Sequence, residues 1–170
     1  YCLHQGKKES GQSVLVTART PESLPAVPDA SERRIAIRKL PEVFDYPVWS
    51  PDGQYIACSE IEPSSSRARV VVMNASDGTE KFTGPWRWRS VILGLSWLLR
   101  RYYVLAFVAR GDQEDHFREV WLQRFSPSLF PVGEPLPVTR DLGQHESVSA
   151  TADGHSVLSV NERAVAALWV

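Results

Sequence analysis

Short apolar runs dominate the sequence; they alternate with polar positions and are separated by turn-forming residues. The runs are rich in β-branched and aromatic residues, which pack well on a pleated sheet, and they lack helical periodicity. The clearest example is the stretch 46–59, where one run ends at Trp49, a polar segment follows, and a second run begins at Tyr55. We therefore predict an all-β protein with a hairpin at this stretch.

The polar segment between these runs carries the residues that a tight hairpin turn requires. Pro51 fixes φ at about −65° for the second position of a type I turn, and Asp52 suits the third position because its side chain bonds nearby backbone groups. Gly53 suits the left-handed position that closes the turn. Trp49, directly before the turn, is predicted to face the sheet packing.

Weaker copies of this hairpin recur about 40–50 residues apart along the chain. Gly154 follows Asp153 in the same way that Gly53 follows an aspartate, so we predict equivalent turns with positive φ at both glycines. Another copy is degenerate, because it keeps Trp97 but has Arg101 in the glycine position.

Each copy continues into further predicted strands. The predicted third strands are 34–38, 69–73, 119–123 and 166–170, and the predicted fourth strands are 80–83 and 136–139. The first copy, at about 10–16, shows no clear opening strand. Four strands per repeat of this length are typical of propeller blades. We predict an all-β partial β-propeller of about three to four four-stranded antiparallel blades, at about 1–44 (partial), 45–89, 90–144 and 145–170 (partial).

The hairpin motif resembles the repeat signature of TolB-like β-propellers. The residues that carry this resemblance are Trp49-Ser50-Pro51-Asp52-Gly53, followed by Tyr55-Ile56-Ala57. The strand and Asp-Gly turn at 70–78 resemble the segment that follows in that family, and the stretches 138–142, 148–154 and 168–170 are similar to the closing blade of propellers fused to bacterial serine/threonine kinases or winged-helix regulators. The resemblance implies a single propeller segment of a larger bacterial protein, and it weakly favours an extracytoplasmic, periplasmic location.

Charge and hydropathy limit the classes of partner. The chain has 19 basic and 20 acidic residues, which gives no electrostatic footprint for nucleic acid or a membrane surface. The longest apolar run, 91–99, is interrupted by Gly94, Ser96 and Trp97 and is too short to span a bilayer. We expect no nucleic-acid partner and no membrane insertion.

Of the two cysteines, Cys58 lies within a strand pattern and is most simply a small core residue.

The sequence contains no motif for known catalytic chemistry. A phosphate-binding loop, a dinucleotide fingerprint, a kinase catalytic loop and a Gly-x-Ser-x-Gly elbow are all absent. The elbow matters because propellers also occur beside α/β-hydrolase domains in prolyl-oligopeptidase-like enzymes. The four histidines lack metal-ligand spacing, and the acidic loop at 112–115 lacks the order of a calcium loop. We therefore expect no catalytic residues, no metal and no cofactor.

One cluster is a candidate interaction surface: Trp86, Arg87, Trp88 and Arg89 alternate aromatic and basic side chains. An extended strand would place the aromatic residues on one face and the arginines on the other. Arginine and tryptophan are enriched at binding hot spots. The plainer interpretation, which we favour, is a rim strand or a blade-to-blade connection whose tryptophans pack between blades.

Two functions are compatible with these features. The first is a non-enzymatic propeller module that recognises a protein or a ligand, as the sensor or interaction part of a larger protein. The second is an accessory propeller of a prolyl-oligopeptidase-like hydrolase whose catalytic domain lies outside this segment.

Because the sequence begins Tyr1-Cys2-Leu3-His4 without a methionine, we expect a segment of a longer chain. We expect it to contact the rest of that chain or to self-associate through an open edge near 166–170, unless residues 1–4 pair with that edge.

Overall fold

The computed structural model describes residues 2–4, 12–18, 33–39, 42–99, 103–111, 117–139, 144–151 and 153–162. These residues form strands and turns and contain no helix, which confirms the all-β prediction. The chain divides into two compact units, Tyr1–Val91 and Ile92–Val170. The strands in chain order are β1 (Cys2–His4), β2 (Gln12–Ala18), β3 (Arg33–Lys39), β4 (Val43–Trp49), β5 (Tyr55–Glu62), β6 (Arg67–Asn74), β7 (Glu80–Thr83), β8 (Trp88–Leu99), β9 (Tyr103–Arg110), β10 (Glu119–Phe125), β11 (Leu136–Pro137), β12 (Gln144–Ala150) and β13 (Val157–Glu162).

The first unit contains two sets of antiparallel strands. The strands β1, β2 and β3 form a three-stranded sheet in that order. The strands β4, β5, β6 and β7 follow one another as a meander, with each strand paired to the next. The beginning of β8 also pairs with β6, where Arg67 lies opposite Arg89 and Ala68 lies opposite Trp88. Sequential antiparallel pairing of this kind is the arrangement of a propeller blade.

The first sheet does have an opening strand, so our prediction that this strand is missing is wrong. The strand β1 pairs antiparallel with β2, with Cys2 opposite Ala18 and His4 opposite Val16. This pairing uses backbone groups of β2 that an open edge would leave exposed. The predicted third strand at 166–170 lies outside the described residues.

The core of the first unit is built from the inward-facing residues of β2 to β6. Its buried members are Leu15, Ile35, Phe44, Ile56, Cys58, Val71 and Met73. Trp49 packs against this cluster, as predicted from its place before the turn. Burial raises the pKa of the Cys58 thiol, so this cysteine is an inert core residue rather than a reactive one.

The second unit contains a four-stranded antiparallel set and a hairpin. The strands β8, β9, β10 and β11 are neighbours in that order, and β12 pairs with β13. Its core includes Leu98, Ala106, Val108, Val120 and Val148. The predicted fourth strand at 136–139 is paired as a strand only at Leu136–Pro137. Because proline has no N–H, this short strand contributes few ladder hydrogen bonds.

Candidate functional site

The two predicted Asp-Gly turns have the same geometry. The φ angles of Gly53 and Gly154 are 70° and 67°, which confirms the prediction of positive φ at both positions. The N–H of Gly53 donates to the Ser50 carbonyl, and that of Gly154 donates to the Thr151 carbonyl, each at 2.9 Å. The carboxylates of Asp52 and Asp153 each accept a hydrogen bond from the backbone N–H two residues later. These residues therefore shape the hairpins.

A hydroxyl group also closes each turn. The Oγ of Ser50 accepts from the Tyr55 N–H at 2.9 Å and donates to the Asp52 carboxylate at 2.6 Å. Thr151 makes the corresponding two bonds, to the Ser156 N–H and to Asp153. Pro51 is exposed at the tip of the first turn. Because these groups are used within the turns, they show the features of structural repeats rather than of a binding site.

The aromatic residue of the degenerate copy also has a packing role. Trp97 is buried and contacts Tyr103 edge-on, with ring centroids 5.8 Å apart, and Phe125 at 6.1 Å. Such aromatic pairs contribute roughly 0.5–1.5 kcal/mol beyond their buried area. Arg101, in the position of the turn glycine, lies outside the described residues.

The Trp86–Arg89 segment divides into a connection and a strand. The strand β8 begins at Trp88, so only Trp86 and Arg87 precede it. Trp88 is buried, whereas Trp86 is half-buried and Arg89 is exposed. The two tryptophans therefore do not form one continuous aromatic surface. The packing interpretation applies to Trp88, which lies opposite the buried Ala68 on β6.

Four arginines and one tryptophan lie together where β6 meets β8, and we call this group the Arg–Trp surface. Its members are Arg67, Arg69, Trp86, Arg87 and Arg89. Arg67 and Arg89 are directly opposite each other in the antiparallel ladder, so their side chains leave the sheet on the same face. A guanidinium nitrogen of Arg67 donates to the Arg87 carbonyl at 3.2 Å.

A buried carboxylate fixes one end of the Arg–Trp surface. Glu60 on β5 is fully buried and accepts from the Nε of Arg69 at 2.6 Å and from the Nε of Arg38 at 2.5 Å. The Arg69 guanidinium lies over the Trp86 ring, 4.1 Å from its centroid. The position of Trp86 is thus set through Arg69 by a buried ion pair, which gives this aromatic side chain a defined place at the surface.

The same ion-pair network extends to a more exposed carboxylate. Arg38 also bonds Glu80, and its guanidinium lies 4.9 Å from the Phe44 ring centroid. Partial burial opposes ionisation of Glu80, but hydrogen bonds from Thr83 and Arg38 hold the pKa of its carboxyl below the usual value. Arg38 and Arg69 therefore both have carboxylate partners inside the first unit. No sequence pattern marks Glu60, because its two partners come from two other strands, β3 and β6.

The second unit offers a different candidate, a cleft of about 460 Å³. Its walls are aliphatic, and Arg124, Glu134 and His155 also line it. Leu136 and Val138, which line the same cleft, are 57% and 50% exposed. The cleft has the size and lining to hold an apolar side chain. No sequence motif marks this cleft.

One hydrogen bond joins residue types that also occur in catalytic pairs, His145 and Ser159. The His145 Nδ1 lies 2.8 Å from the Ser159 Oγ, whose hydroxyl donates to the Ser147 carbonyl at 2.7 Å. The Ser159 hydroxyl is directed at that carbonyl, which is not the nucleophile-to-base geometry of a catalytic serine. Within the described part of the chain, no group of three or more histidine, cysteine, aspartate or glutamate residues could hold a metal ion. No helix among those residues is long and apolar enough to cross a membrane.

Comparison with known proteins gives a fold relationship. No protein-family model matches the sequence, and no curated protein matches it significantly. A solved structure from a study of two prolyl endopeptidases, concerned with inter-domain dynamics in catalysis and specificity, is similar with a TM-score of 0.56 and 15% sequence identity. The alignment covers 96% of this chain and 25% of that chain, so the chain spans a quarter of the prolyl endopeptidase's length.

At that level of identity the likeness concerns the fold. In prolyl-oligopeptidase-like enzymes, a propeller lies beside the catalytic hydrolase domain. The antiparallel strand sets of both units agree with that architecture. The chain has the all-β fold of a partial β-propeller.

Proposed function

We propose that this chain is a non-enzymatic β-propeller module of the TolB-like type that recognises a protein partner through the Arg–Trp surface. The observation that supports this proposal is the fixed arrangement of that surface: Arg67 and Arg89 face each other across two strands, and the Arg69 guanidinium lies over the Trp86 ring. Arginine and tryptophan that are positioned before binding lose little side-chain entropy when a partner docks.

Such a module works by presenting a rigid surface rather than by transforming a ligand. Its strands hold the side chains, and no proton transfer or bond cleavage is needed. We therefore expect the purified chain to hydrolyse neither peptide nor ester substrates and to transfer no phosphate. In a larger bacterial protein, the module would couple recognition to a second domain, such as a kinase or a DNA-binding domain.

A second function is favoured by the likeness to the prolyl endopeptidase structure. In this alternative the chain is an accessory propeller that controls access to a hydrolase domain elsewhere in the protein. The sequence of the full gene product separates the two functions. A kinase or DNA-binding domain supports the recognition module, and a domain with a Gly-x-Ser-x-Gly elbow supports the accessory propeller.

A display library of random peptides, selected on the immobilised chain, tests the recognition module. We expect selected peptides to bind the wild-type chain and to lose at least about tenfold in affinity to Trp86→Ala, since hot-spot truncations cost this much or more. Arg33→Ala, at an exposed position on β3 of the same unit, is the matched control and should leave affinity unchanged. Enriched peptides that bind Trp86→Ala as well as they bind the wild-type chain would contradict the proposal.

A further inference from the structure

We propose that the second-unit cleft binds a small aliphatic carboxylate, whose charged group pairs with Arg124 and whose chain lies along the aliphatic wall. The inference concerns a second site and does not rest on the function proposed for the Arg–Trp surface. The cleft volume of about 460 Å³ falls within the range of about 300–1,000 Å³ that is typical of small-molecule sites. Leu136 and Val138 in its wall are at least half exposed, and an aliphatic chain would cover them.

The strand register places a cation at the end of an aliphatic row. Val104 on β9 lies directly opposite Arg124 on β10, and Leu122 on β10 lies opposite Leu136 on β11. Because alternate residues of a strand share a face, Arg124 and Leu122 leave the sheet on the same side. The row continues to Val138, directly after β11. The cleft therefore presents aliphatic side chains beside one guanidinium, which is the lining that suits an amphipathic anion.

The floor of the cleft belongs to the core of the second unit. Leu98 is a buried member of that core, and Val104, Leu122 and Val157 pack against it. Side chains that are fixed by core packing lose little freedom when a ligand binds. The aliphatic part of the site is thus formed before the ligand arrives.

The segment that carries the exposed wall is also attached to β10. The Val132 N–H donates to the Arg124 carbonyl at 2.8 Å, and the side-chain amide of Gln123 donates to the Gly133 carbonyl at 3.2 Å. These two bonds hold the chain that leads into β11 beside the backbone of Arg124. The cation and the aliphatic wall therefore keep their relative positions.

Arg124 is the charged group that suits a carboxylate. Its side chain is exposed, and among the residues that the structure describes no carboxylate forms an ion pair with it. A guanidinium binds a carboxylate through two parallel hydrogen bonds. Glu134 and His155 also line the cleft, but each has a further interaction of its own. The charge that the cleft offers to a ligand is thus positive.

A small ligand is favoured over an added peptide strand by the prolines of β11 and its flank. The Val138 N–H donates to the Val120 carbonyl at 2.8 Å, so the backbone of Val138 faces β10. Alternate residues of a strand direct their backbone groups to opposite edges, so Pro135 and Pro137 face the side away from β10. Proline has no N–H, and this edge therefore lacks the donors that a pairing strand needs.

Nuclear magnetic resonance titrations of the ¹⁵N-labelled chain test the inference. The probes are octanoate and octanol, which share an aliphatic chain and differ in charge. We expect octanoate to shift the amide signals of residues 122–124, 136 and 138. It should bind at least about fivefold more tightly than octanol, because hydrogen bonds to a charged group are stronger than those to a neutral one.

The variant Arg124→Gln tests the role of the cation. It should reduce the affinity for octanoate to that for octanol and leave octanol binding unchanged. Arg33→Gln, at an exposed position on β3, is the matched control and should keep the difference between the probes. Glu134→Gln should bind octanoate no less tightly than the wild-type chain, because it removes a negative charge from the cleft.

The variant Leu136→Ser tests the aliphatic wall, since this side chain is 57% exposed and its replacement leaves the core intact. It should weaken both probes, whereas Val132→Ser, at an exposed position that does not line the cleft, should weaken neither. Trp86→Ala should leave octanoate binding unchanged, so the outcome is independent of the recognition function.

Three results would overturn the inference. The first is an equal affinity of the wild-type chain and of Arg124→Gln for octanoate. The second is an equal affinity of the wild-type chain for octanoate and octanol, which indicates non-specific apolar binding. The third is a set of octanoate-induced shifts confined to Leu158 and Val160, which would place the ligand on the exposed face of β13 instead of in the cleft.

Discussion

At the scale of single residues, the turn glycines show how far local chemistry determines the backbone. A proline, an aspartate and a glycine in sequence sufficed to predict the conformation of Gly53, and the Asp-Gly pair at Gly154 sufficed for the second turn. The hydroxyl groups of Ser50 and Thr151 were not recognised in advance. Serine and threonine are common in any loop, and their bonds to the turn become visible only when the strands are in register.

Two glycines of the first unit allow the cost of backbone strain to be measured apart from the cost of a steric clash. Gly53 and Gly78 have nearly the same φ, 70° and 75°. A Cβ would meet no atom within 4 Å at Gly53, whereas at Gly78 it would clash with the backbone carbonyl oxygen of Ile35. We predict that Gly53→Ala lowers the free energy of unfolding by about 1–2 kcal/mol, the cost of a left-handed non-glycine residue. Gly78→Ala should cost clearly more, because backbone must also move. Urea denaturation measures both, and equal losses would contradict the geometry at Gly78.

At the scale of elements, the strands followed from the hydrophobic pattern, whereas the ion pairs between them did not. The alternation of Trp86–Arg89 suits an extended strand and a connection equally, so the sequence could not place the start of β8 at Trp88. Likewise, Glu60 shares the face of β5 that carries Ile56 and Cys58, where the pattern predicts an apolar residue. Its burial is explained only by Arg38 on β3 and Arg69 on β6, which are brought to it by long-range pairing.

The buried carboxylate should be important for the stability of the first unit. Glu60→Ala leaves Arg38 and Arg69 without their shared partner, and we expect the free energy of unfolding to fall by about 3–5 kcal/mol. Glu80→Ala removes a more exposed partner of Arg38, and its cost should be about 1 kcal/mol or less. Chemical denaturation of both variants checks this difference. A loss at Glu60 no greater than that at Glu80 would show that the buried network contributes little.

The pH dependence of stability should reflect the network as well. The pKa of the Glu80 carboxyl is lowered in the folded state from its ordinary value of 4.5. The ionised carboxylate therefore stabilises the folded state at pH values above 4.5. This contribution is lost as the pH falls below 4.5 and through the lower folded-state pKa. We expect Glu80→Gln to flatten the acid limb of the stability curve, measured by denaturant midpoints between about pH 6 and pH 3. An unchanged acid limb would contradict the assigned partners.

At the scale of the whole molecule, the repeat spacing was enough to predict the fold class, and the likeness to the prolyl endopeptidase structure agrees with it. The function was not predictable to the same degree, because a propeller scaffold serves many functions and the specific side chains decide among them. The second-unit cleft illustrates the difficulty. Its lining comes from several strands and a turn, and no local sequence pattern marks such a set.

Self-association is expected from the hairpin of the second unit. Leu158 and Val160 alternate along β13 on one face and are 72% and 58% exposed. Two neighbouring exposed aliphatic side chains on a sheet face favour contact with another apolar surface. We predict concentration-dependent oligomers of the purified chain in light scattering, and their loss in the variant Leu158→Lys/Val160→Lys. Val132→Lys, at an exposed position of the same unit, is the control. A stable monomer at high concentration would contradict this prediction.

Hydrogen–deuterium exchange with a selected peptide bound tests the central claim, recognition through the Arg–Trp surface, most directly. The peptide chosen from the display selection should slow exchange in residues 65–69 and 86–89, where the surface lies, and leave residues 132–138 near the second-unit cleft unchanged. The same experiment with Trp86→Ala should show no such protection. Protection confined to residues 132–138 and 155–157 would contradict the account and assign recognition to the cleft.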